Sequence, residues 1–335
     1  MNRRGIISAG TVVMDVIKFI DVYPEKGNLT TITKEAMGLG GCAHNVLVDI
    51  ASLGTDIPLY AAACVGNDAY GKAILDSFAS HGVDCSAVRV LEDCPTSYTD
   101  VMSETSGSCS RTFFHNRGAN ARLSADMITG VDVPAKIFHL GYLLLLDSLD
   151  APDGQNGVVS ARVLDALQRK GYKTSVDLVS EESDRYASCV LPCLKYTDYR
   201  IINEVEAGRC LGVSLRSASG AIDVPAVKAA CRSFLEKGVG ECVAIHFPEG
   251  GVAMKKGSDA VFGPSDPVRP EDIVSSVGAG DAFCAAMLFA LHEDYPLDKA
   301  LHLANASARF NLFSPSSTGG ATSLETLRAV LDGRG

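Results

Sequence analysis

Residues 275–292 read SSVGAGDAFCAAMLFALH. A glycine-rich turn runs into Asp281, and the segment 281–292 is apolar almost all the way round. Such a helix has no face for water, so it must be packed on every side. Glycines let the backbone turn tightly and approach a ligand closely. The start of a helix supplies unpaired N–H groups and the positive end of a dipole. Gly278, Ala279 and Gly280 can therefore form an anion hole suited to a phosphate. Asp281 sits at its rim, where a carboxylate can take a proton from a hydroxyl. The same letters also describe a plain structural turn with an acid in the first helical turn.

Working outward, strands and helices alternate. Ile6 to Val13 predicts a strand. Val46, Leu47, Ile50 and Leu53 make a helical stripe over 42–53, with Gly54 suited to the C-cap. Residues 58–65 read as a buried strand and 71–81 as a helix. Then follow helix 157–170, strand 173–178, strand 199–202, helix 224–237, strand 241–247 and helix 297–313. This order predicts a parallel sheet covered on both faces. Two stretches break the rhythm. Residues 28–37 are Thr-rich without helical period, and 96–116 read as two strands around a Ser/Gly turn at 106–108. Both are assigned to a small β appendage beside the active face, with about 28–38 and 96–116 as its bounds. It serves as a lid or as ordinary surface hairpins.

The chain has 335 residues, 47% of them apolar, enough for a sizeable core. Lys plus Arg number 30 against 40 Asp plus Glu, a formal charge of −10. That balance argues against nucleic-acid and anionic-membrane partners, which need a basic face. No apolar run reaches the roughly 18 residues of a membrane span. The N-terminal run Ile6–Ile20 contains Asp15 and Lys18 and lacks a cleavage pattern, so it does not fit a signal peptide. The 11 cysteines include no CxxC and read as reduced thiols of a cytoplasmic protein, mostly filling core. No zinc-ligand spacing or nucleophile elbow is present.

Four further motifs carry alternatives. Gly38 to Asn45 (GLGGCAHN) fits G-x-G-x-x-A. However, no buried strand precedes it and no acid follows at the right distance for a dinucleotide site. It reads as a turn bringing backbone and Asn45 to a polar ligand, or as a close-packing turn. Gly66 to Ala73 (GNDAYGKA) nearly matches a P-loop, but Ala73 stands where a hydroxyl must reach Mg²⁺. Asn203 and Glu206 (NEVE) place an amide and a carboxylate one turn apart. They can hold Mg²⁺ through its water shell, although the spacing by itself favours a capping box. Asp15 follows the first strand, where a parallel sheet usually binds ligands. It can accept hydrogen bonds from sugar hydroxyls or be a solvated loop acid.

Taken in order, these motifs resemble the ribokinase-like, or PfkB, carbohydrate kinases over about Ile6 to Leu331. Gly40 to Asn45 is similar to the family's Gly-Gly pattern, Val65 to Gly71 to its V-G-x-D-x-x-G, and Asn203 to Glu206 to its N-x-x-E. Gly118 to Ala121 is similar to the segment after its lid, and Ser275 to Asp281 to its D-T-x-G-A-G-D. The resemblance implies a three-layer α/β/α sandwich with a mostly parallel sheet, one domain with a β lid, and ATP-dependent phosphorylation of a sugar hydroxyl. It implies Asp281 as the base and Gly278, Ala279 and Gly280 as the anion hole. Asp15, Gly41 and Asn45 then hold the sugar, while Arg111, in the lid hairpin, is read separately as a contact for an anionic substrate or as a solvated lid arginine. Asn203, Glu206, His246, Gly251 and Asn305 serve ATP, with Mg²⁺ on Glu206 through water. A homodimer through the lid is a further expectation.

Three departures stand out. Ser275 and Ser276 replace the family's Asp-Thr, which puts activation by a monovalent cation in doubt. Residues 246–251 (HFPEGG) replace T-L-G-x-x-G, so His246 and Pro248 change the nucleotide turn. Asp177-Leu178-Val179 lacks the family's D-x-N. The alternatives are a nucleoside kinase of the same fold, with Phe113, Phe114 and Tyr98 available to stack on a base, and a catalytically silent sugar-binding protein. Arg117 is a further candidate for a substrate anion, and Asp147 for the sugar.

Overall fold

The computed structural model describes residues 3–105, 111–180 and 183–331. The turn expected at 106–108 lies outside them. The chain begins with β1 (Ile6–Gly10), and the strand expected to run to Val13 ends three residues early. Gly10 has φ 127°, and a Cβ there would lie 1.7 Å from the Gly141 carbonyl oxygen. The chain turns at this point and leaves the main sheet as β2 (Val13–Ile20), which pairs with β3 (Ile32–Gly40). Helix α1 (Cys42–Ser52) returns to the main body, followed by β4 (Leu59–Ala62), β5 (Cys64–Gly66), α2 (Ala69–Ser80) and β6 (Arg89–Leu91). Strands β7 (Tyr98–Glu104) and β8 (Arg111–Asn116) complete a second, four-stranded sheet in the order β3-β2-β7-β8.

The short helix α3 (Ala125–Thr129) leads to β9 (Ile137–Leu143), a strand the sequence reading missed. A small hairpin of two-residue strands, β10 (Pro152–Asp153) and β11 (Gly157–Val158), precedes α4 (Val159–Arg169). Then come β12 (Lys173–Leu178), β13 (Tyr199–Asn203), α5 (Glu204–Leu211), α6 (Val224–Glu236) and β14 (Cys242–Phe247). Strands β15 (Gly250–Lys255) and β16 (Val261–Pro264) form an antiparallel edge that was also missed. Helices α7 (Ala279–His292), α8 (Leu297–Asn311) and α9 (Leu324–Leu331) end the chain. The main sheet has eight strands in the order β16-β15-β14-β13-β12-β9-β1-β4, parallel from β14 to β4.

Two apolar cores flank this sheet. One packs Val46, Leu47 and Ile50 of α1 against Phe283, Met287 and Leu288 of α7 and Leu301 of α8. The other gathers Val163, Leu164 and Leu167 of α4 with Phe234 of α6. This is a three-layer α/β/α sandwich, as expected. Every residue of α7 from Asp281 to His292 is buried, because the helix sits between the sheet and its neighbours α1 and α8. Each fully buried Phe or Leu there contributes roughly 1.5–3 kcal/mol. The cysteines among the described residues are free thiols, eight of them buried. Among the described residues no helix is long and apolar enough to cross a membrane.

Candidate active site

The site lies at the carboxyl ends of the parallel strands, where open α/β sheets form their crevice. Gly278 caps α7 with φ 83° and no side-chain cap. A Cβ at Gly278 would stand 2.0 Å from the Ser317 carbonyl oxygen, so only glycine fits. Asn311 Nδ2 donates to the Val277 carbonyl at 2.7 Å, and the Val277 N–H donates to Ser275 Oγ at 3.1 Å. The loop is thus fixed by α8, by the 314–320 stretch and by its own serine.

Asp281 projects from the first turn of α7, and both of its carboxylate oxygens are engaged. Asn45 Nδ2 donates to Oδ2 at 2.8 Å, and the Tyr142 hydroxyl donates to Oδ1 at 2.6 Å. Asn45 is itself held, since Ser317 Oγ donates to its Oδ1 at 3.1 Å. Burial raises the Asp281 pKa above the ordinary carboxylate value, and the two hydrogen bonds oppose that rise. Tyr142 stays protonated, because burial and the Asp281 charge push its pKa up. A fixed carboxylate with a raised proton affinity suits general base work. Tyr142, Ser317 and Asn311 were not found from sequence. Each acts through contacts with residues distant in the chain, and no local pattern announces it.

The second sheet brings its own residues to the same place. Arg111 Nη1 donates to Ser275 Oγ at 3.2 Å, tying β8 to the glycine-rich loop. By strand register, Asp15, Thr99 and His115 are cross-strand neighbours on one face, and Phe113 and Arg111 follow on β8. Thr99 Oγ1 lies 3.0 Å from His115 Nδ1. Burial lifts the Asp15 pKa to about 6 against an opposing hydrogen bond from Thr99. Asp15 is therefore a residue of β2 in the second sheet, not a loop acid after the first strand. Gly41, at φ 89°, lies against the Thr11 carbonyl, 2.5 Å from a Cβ built on it. Asn45 was expected on the sugar, but here its amide orients Asp281.

Asn203 and Glu206 form the capping box of α5: the Glu206 N–H donates to Asn203 Oδ1 at 2.8 Å, and the Asn203 N–H to Glu206 Oε2 at 3.2 Å. Ser180 Oγ donates to Glu206 Oε1 at 2.7 Å. Glu206 is almost fully buried, and that burial raises its pKa. His246 pairs with Asn203 in register and lies under the loop, its Cε1 3.4 Å from a Cβ built on Gly280. Its ring packs on Phe283 at 4.7 Å between centroids, and burial lowers its pKa to about 4, so it is neutral. Gly251 is buried in β15, where a Cβ would meet Leu301 and Phe283 at 3.1 Å; packing accounts for that glycine. Asn305 Nδ2 donates to the carbonyls of Gly263 and Pro264 at 3.0 and 3.2 Å, beside a cavity of about 220 Å³. Asn203, Glu206, His246 and the loop are thus neighbours, with Gly251 and Asn305 further along the β15–β16 edge.

The P-loop near miss is a scaffold joint. Asp68 caps α2 through the Gly71 N–H at 2.8 Å and also accepts from the Thr96 N–H and hydroxyl, pinning the approach to β7. Lys72 faces solvent, paired with Asp76. Asn120 clips both polar backbone groups of Val12. Arg117 pairs with Asp147 at 2.5 Å, so those two candidates hold each other.

A hydroxyl presented to Asp281, beside a helix start able to hold a phosphoryl group, is the arrangement of a phosphotransferase with an alcohol acceptor. The model of the pfkB family carbohydrate kinases matches residues 4–324, and the chain belongs to that family. It is 23% identical to a ribokinase of Haemophilus influenzae over 98% of both chains. Among solved structures, Arabidopsis thaliana ribokinase complexed with ribose and ATP superposes with a TM-score of 0.79, at 20% identity, covering 98% of this chain and 99% of the other. A Methanocaldococcus jannaschii nucleoside kinase superposes with a TM-score of 0.74, at 17% identity, covering 99% of this chain and 100% of the other.

Proposed function

We propose that this protein transfers the γ-phosphoryl group of ATP to a sugar hydroxyl, with Asp281 as the general base. The observation that carries this is the doubly hydrogen-bonded Asp281 carboxylate on the first turn of α7, next to a start that only Gly278 permits. Gly278, Ala279 and Gly280 present backbone N–H groups to the transferred group, where charge develops. Asp15 and Gly41 hold acceptor hydroxyls, and Arg111 closes the second sheet over them as a lid, excluding water. Phosphoryl transfer needs mainly positioning and charge stabilisation, and both are built from fixed groups here.

The donor set fits Mg²⁺, which prefers oxygen ligands and keeps several waters. Glu206 offers a buried carboxylate aligned by Ser180 and Asn203, and would hold the ion through water. When bound, Mg²⁺ supplies charge neutralisation at the phosphates. The ATP phosphates would then lie near Asn203 and His246, with the base toward the cavity beside Asn305, while Gly251 supports the strand.

Two predictions arise directly. Asp15 must be ionised to accept two hydroxyl hydrogen bonds, and its raised pKa means that it protonates as pH falls through about 6. The acceptor KM should therefore rise below that pH, and Asp15→Asn should abolish this limb while raising KM throughout. A KM unchanged between pH 7 and 5 would remove Asp15 from the acceptor site. Arg111→Met removes the contact from lid to loop. The acceptor KM should rise several-fold and ADP release without acceptor should increase, read by a coupled assay.

The nucleoside reading is favoured by one observation. Phe113 is 58% exposed and shares the face of Asp15 and Arg111, whereas Phe114 and Tyr98 are on the opposite face by register. Ribose, fructose, ketodeoxygluconate, adenosine and cytidine, compared side by side with MgATP, separate the two. A preference for the nucleosides would replace the sugar assignment. Among the described residues β3 is the edge of its sheet, which also suits pairing with a second copy, and sedimentation tests this directly.

A further inference from the structure

Beneath Asp281 lies a second group of chemically capable side chains that the transfer reaction does not use. Cys42 opens α1, His139 is in the middle of β9, Asp177 is near the end of β12, and Cys284 is on α7, three residues after Asp281. Cys42 Sγ is 3.2 Å from His139 Nε2 and 4.0 Å from Asp177 Oδ2. Cys284 Sγ is 3.9 Å from the same Nε2. The donor atoms of Cys42, His139 and Asp177 all lie within 4.8 Å of one another, and all three residues are buried. Four bonds of about 2.0–2.3 Å in tetrahedral geometry require donor separations of roughly 3.3–3.8 Å; the contacts of Cys42 with His139 and Asp177, at 3.2 and 4.0 Å, lie on either side of that range, and Cys284, outside the mutually close trio, would have to draw in to complete the set.

We propose that Cys42, His139 and Asp177, with Cys284 as the fourth donor, form a binding site for one thiophilic divalent cation of the zinc type. The imidazole is already set for it. His139 Nδ1 lies 3.0 Å from Ser175 Oγ, and a proton on Nδ1 donated to that oxygen leaves the Nε2 lone pair aimed at the two sulfurs. This is the outer-shell arrangement typical of metal-bound histidine. Gly141 keeps the space open, since a Cβ there would stand 2.4 Å from Cys42 Sγ.

Acidic side chains also surround the group. Asp177, Asp281 and Glu206 all act on Cys42, and Asp49, with both carboxylate oxygens lacking a partner, acts on Cys284. Arg200 faces Asp177 from β13. Without a metal, burial raises Cys42 and Asp177 far above their ordinary values and keeps His139 neutral, with a pKa of about 3. Metal binding therefore replaces the protons on the sulfur and the carboxyl group and releases them to solvent, so affinity rises with pH. A bound ion ties α1 and α7 to β9 and β12 directly under the catalytic loop. Thiolate and imidazole ligands disfavour Mg²⁺, which separates this site from Glu206.

The test uses the intact, metal-free protein without nucleotide, titrated with Co²⁺ and then Zn²⁺. The expected result is one equivalent of Co²⁺ with a tetrahedral visible spectrum and a thiolate-to-cobalt band in the near ultraviolet. Zn²⁺ should displace it and excess Mg²⁺ should not. Cys42→Ser should remove the sulfur band or shift its intensity by about half, and Ser175→Ala should weaken binding by about 10–100-fold. His139→Gln is the harsher variant because the residue is fully buried. The serine and alanine variants keep the test decisive if it fails to fold. No thiolate band in the wild type, or the same band in Cys42→Ser, overturns the proposal.

Discussion

Asp281→Asn is expected to lower kcat by roughly 10²–10⁴-fold, about 2.7–5.5 kcal/mol of transition-state stabilisation, with little change in melting temperature. The amide matches the carboxylate in shape but takes no proton. Its oxygen can still accept from Asn45 Nδ2, now at 2.8 Å from the carboxylate. Its NH₂ then faces Tyr142, whose hydroxyl can turn from donor to acceptor. The fold therefore absorbs the change and the chemistry does not. ATP affinity, measured by calorimetry, should remain near that of the wild type. Turnover within a few-fold of wild type would move the base elsewhere.

The second large effect is Gly278→Ala. The position has φ 83°, and the new Cβ would meet the Ser317 carbonyl at 2.0 Å. The backbone strain alone costs about 1–3 kcal/mol, and either the loop or the Ser317 segment must move. Ser317 also holds Asn45, which holds Asp281, so both the anion hole and the base lose alignment. Loss of one such donor typically costs about 10²–10³-fold in kcat, and at least that is expected, with a melting temperature several degrees lower. Gly280→Ala is the control for stability. Its Cβ would lie 3.4 Å from His246, an ordinary contact, so it should melt near wild type. Equal melting of the two variants would contradict this account of Gly278.

Much of the fold was legible because its signals are local. The apolar segment 281–292 has no polar face, and the structure buries it on all sides. The turn from β1 into the second sheet was not legible. Val12 and Val13 continue the apolar run of Ile6 and Ile7, and the strand ends where Gly10 takes φ 127° against Gly141 of β9, a partner about 130 residues away in the chain. The edge strands β15 and β16 were missed because Gly250, Gly251 and Gly263 read as loop. Their lack of side chains serves packing against Phe262, Phe283 and Leu301.

The site shows the same division. Gly278 and Asp281 were visible because a short segment carries them together. Asn203 and Glu206 were visible too, and the capping box that their spacing favours is present at the start of α5, where it aligns the carboxylate. Tyr142 was invisible, because its contact with Asp281 joins residues 139 positions apart. Asn45 was seen but placed on the sugar. Only the tertiary fold brings its amide within 2.8 Å of Asp281.

The central claim is that Asp281 takes the proton of a sugar hydroxyl while the start of α7 holds the phosphoryl group. A crystal structure with Mg²⁺, a non-hydrolysable ATP analogue and the acceptor chosen by the substrate comparison tests it most directly. The predicted result is one acceptor hydroxyl within about 2.6–3.2 Å of an Asp281 carboxylate oxygen, facing a terminal phosphate held by the N–H groups of Ala279 and Gly280. An acceptor whose hydroxyls all lie away from Asp281, or a terminal phosphate bound outside the 278–280 turn, would contradict it.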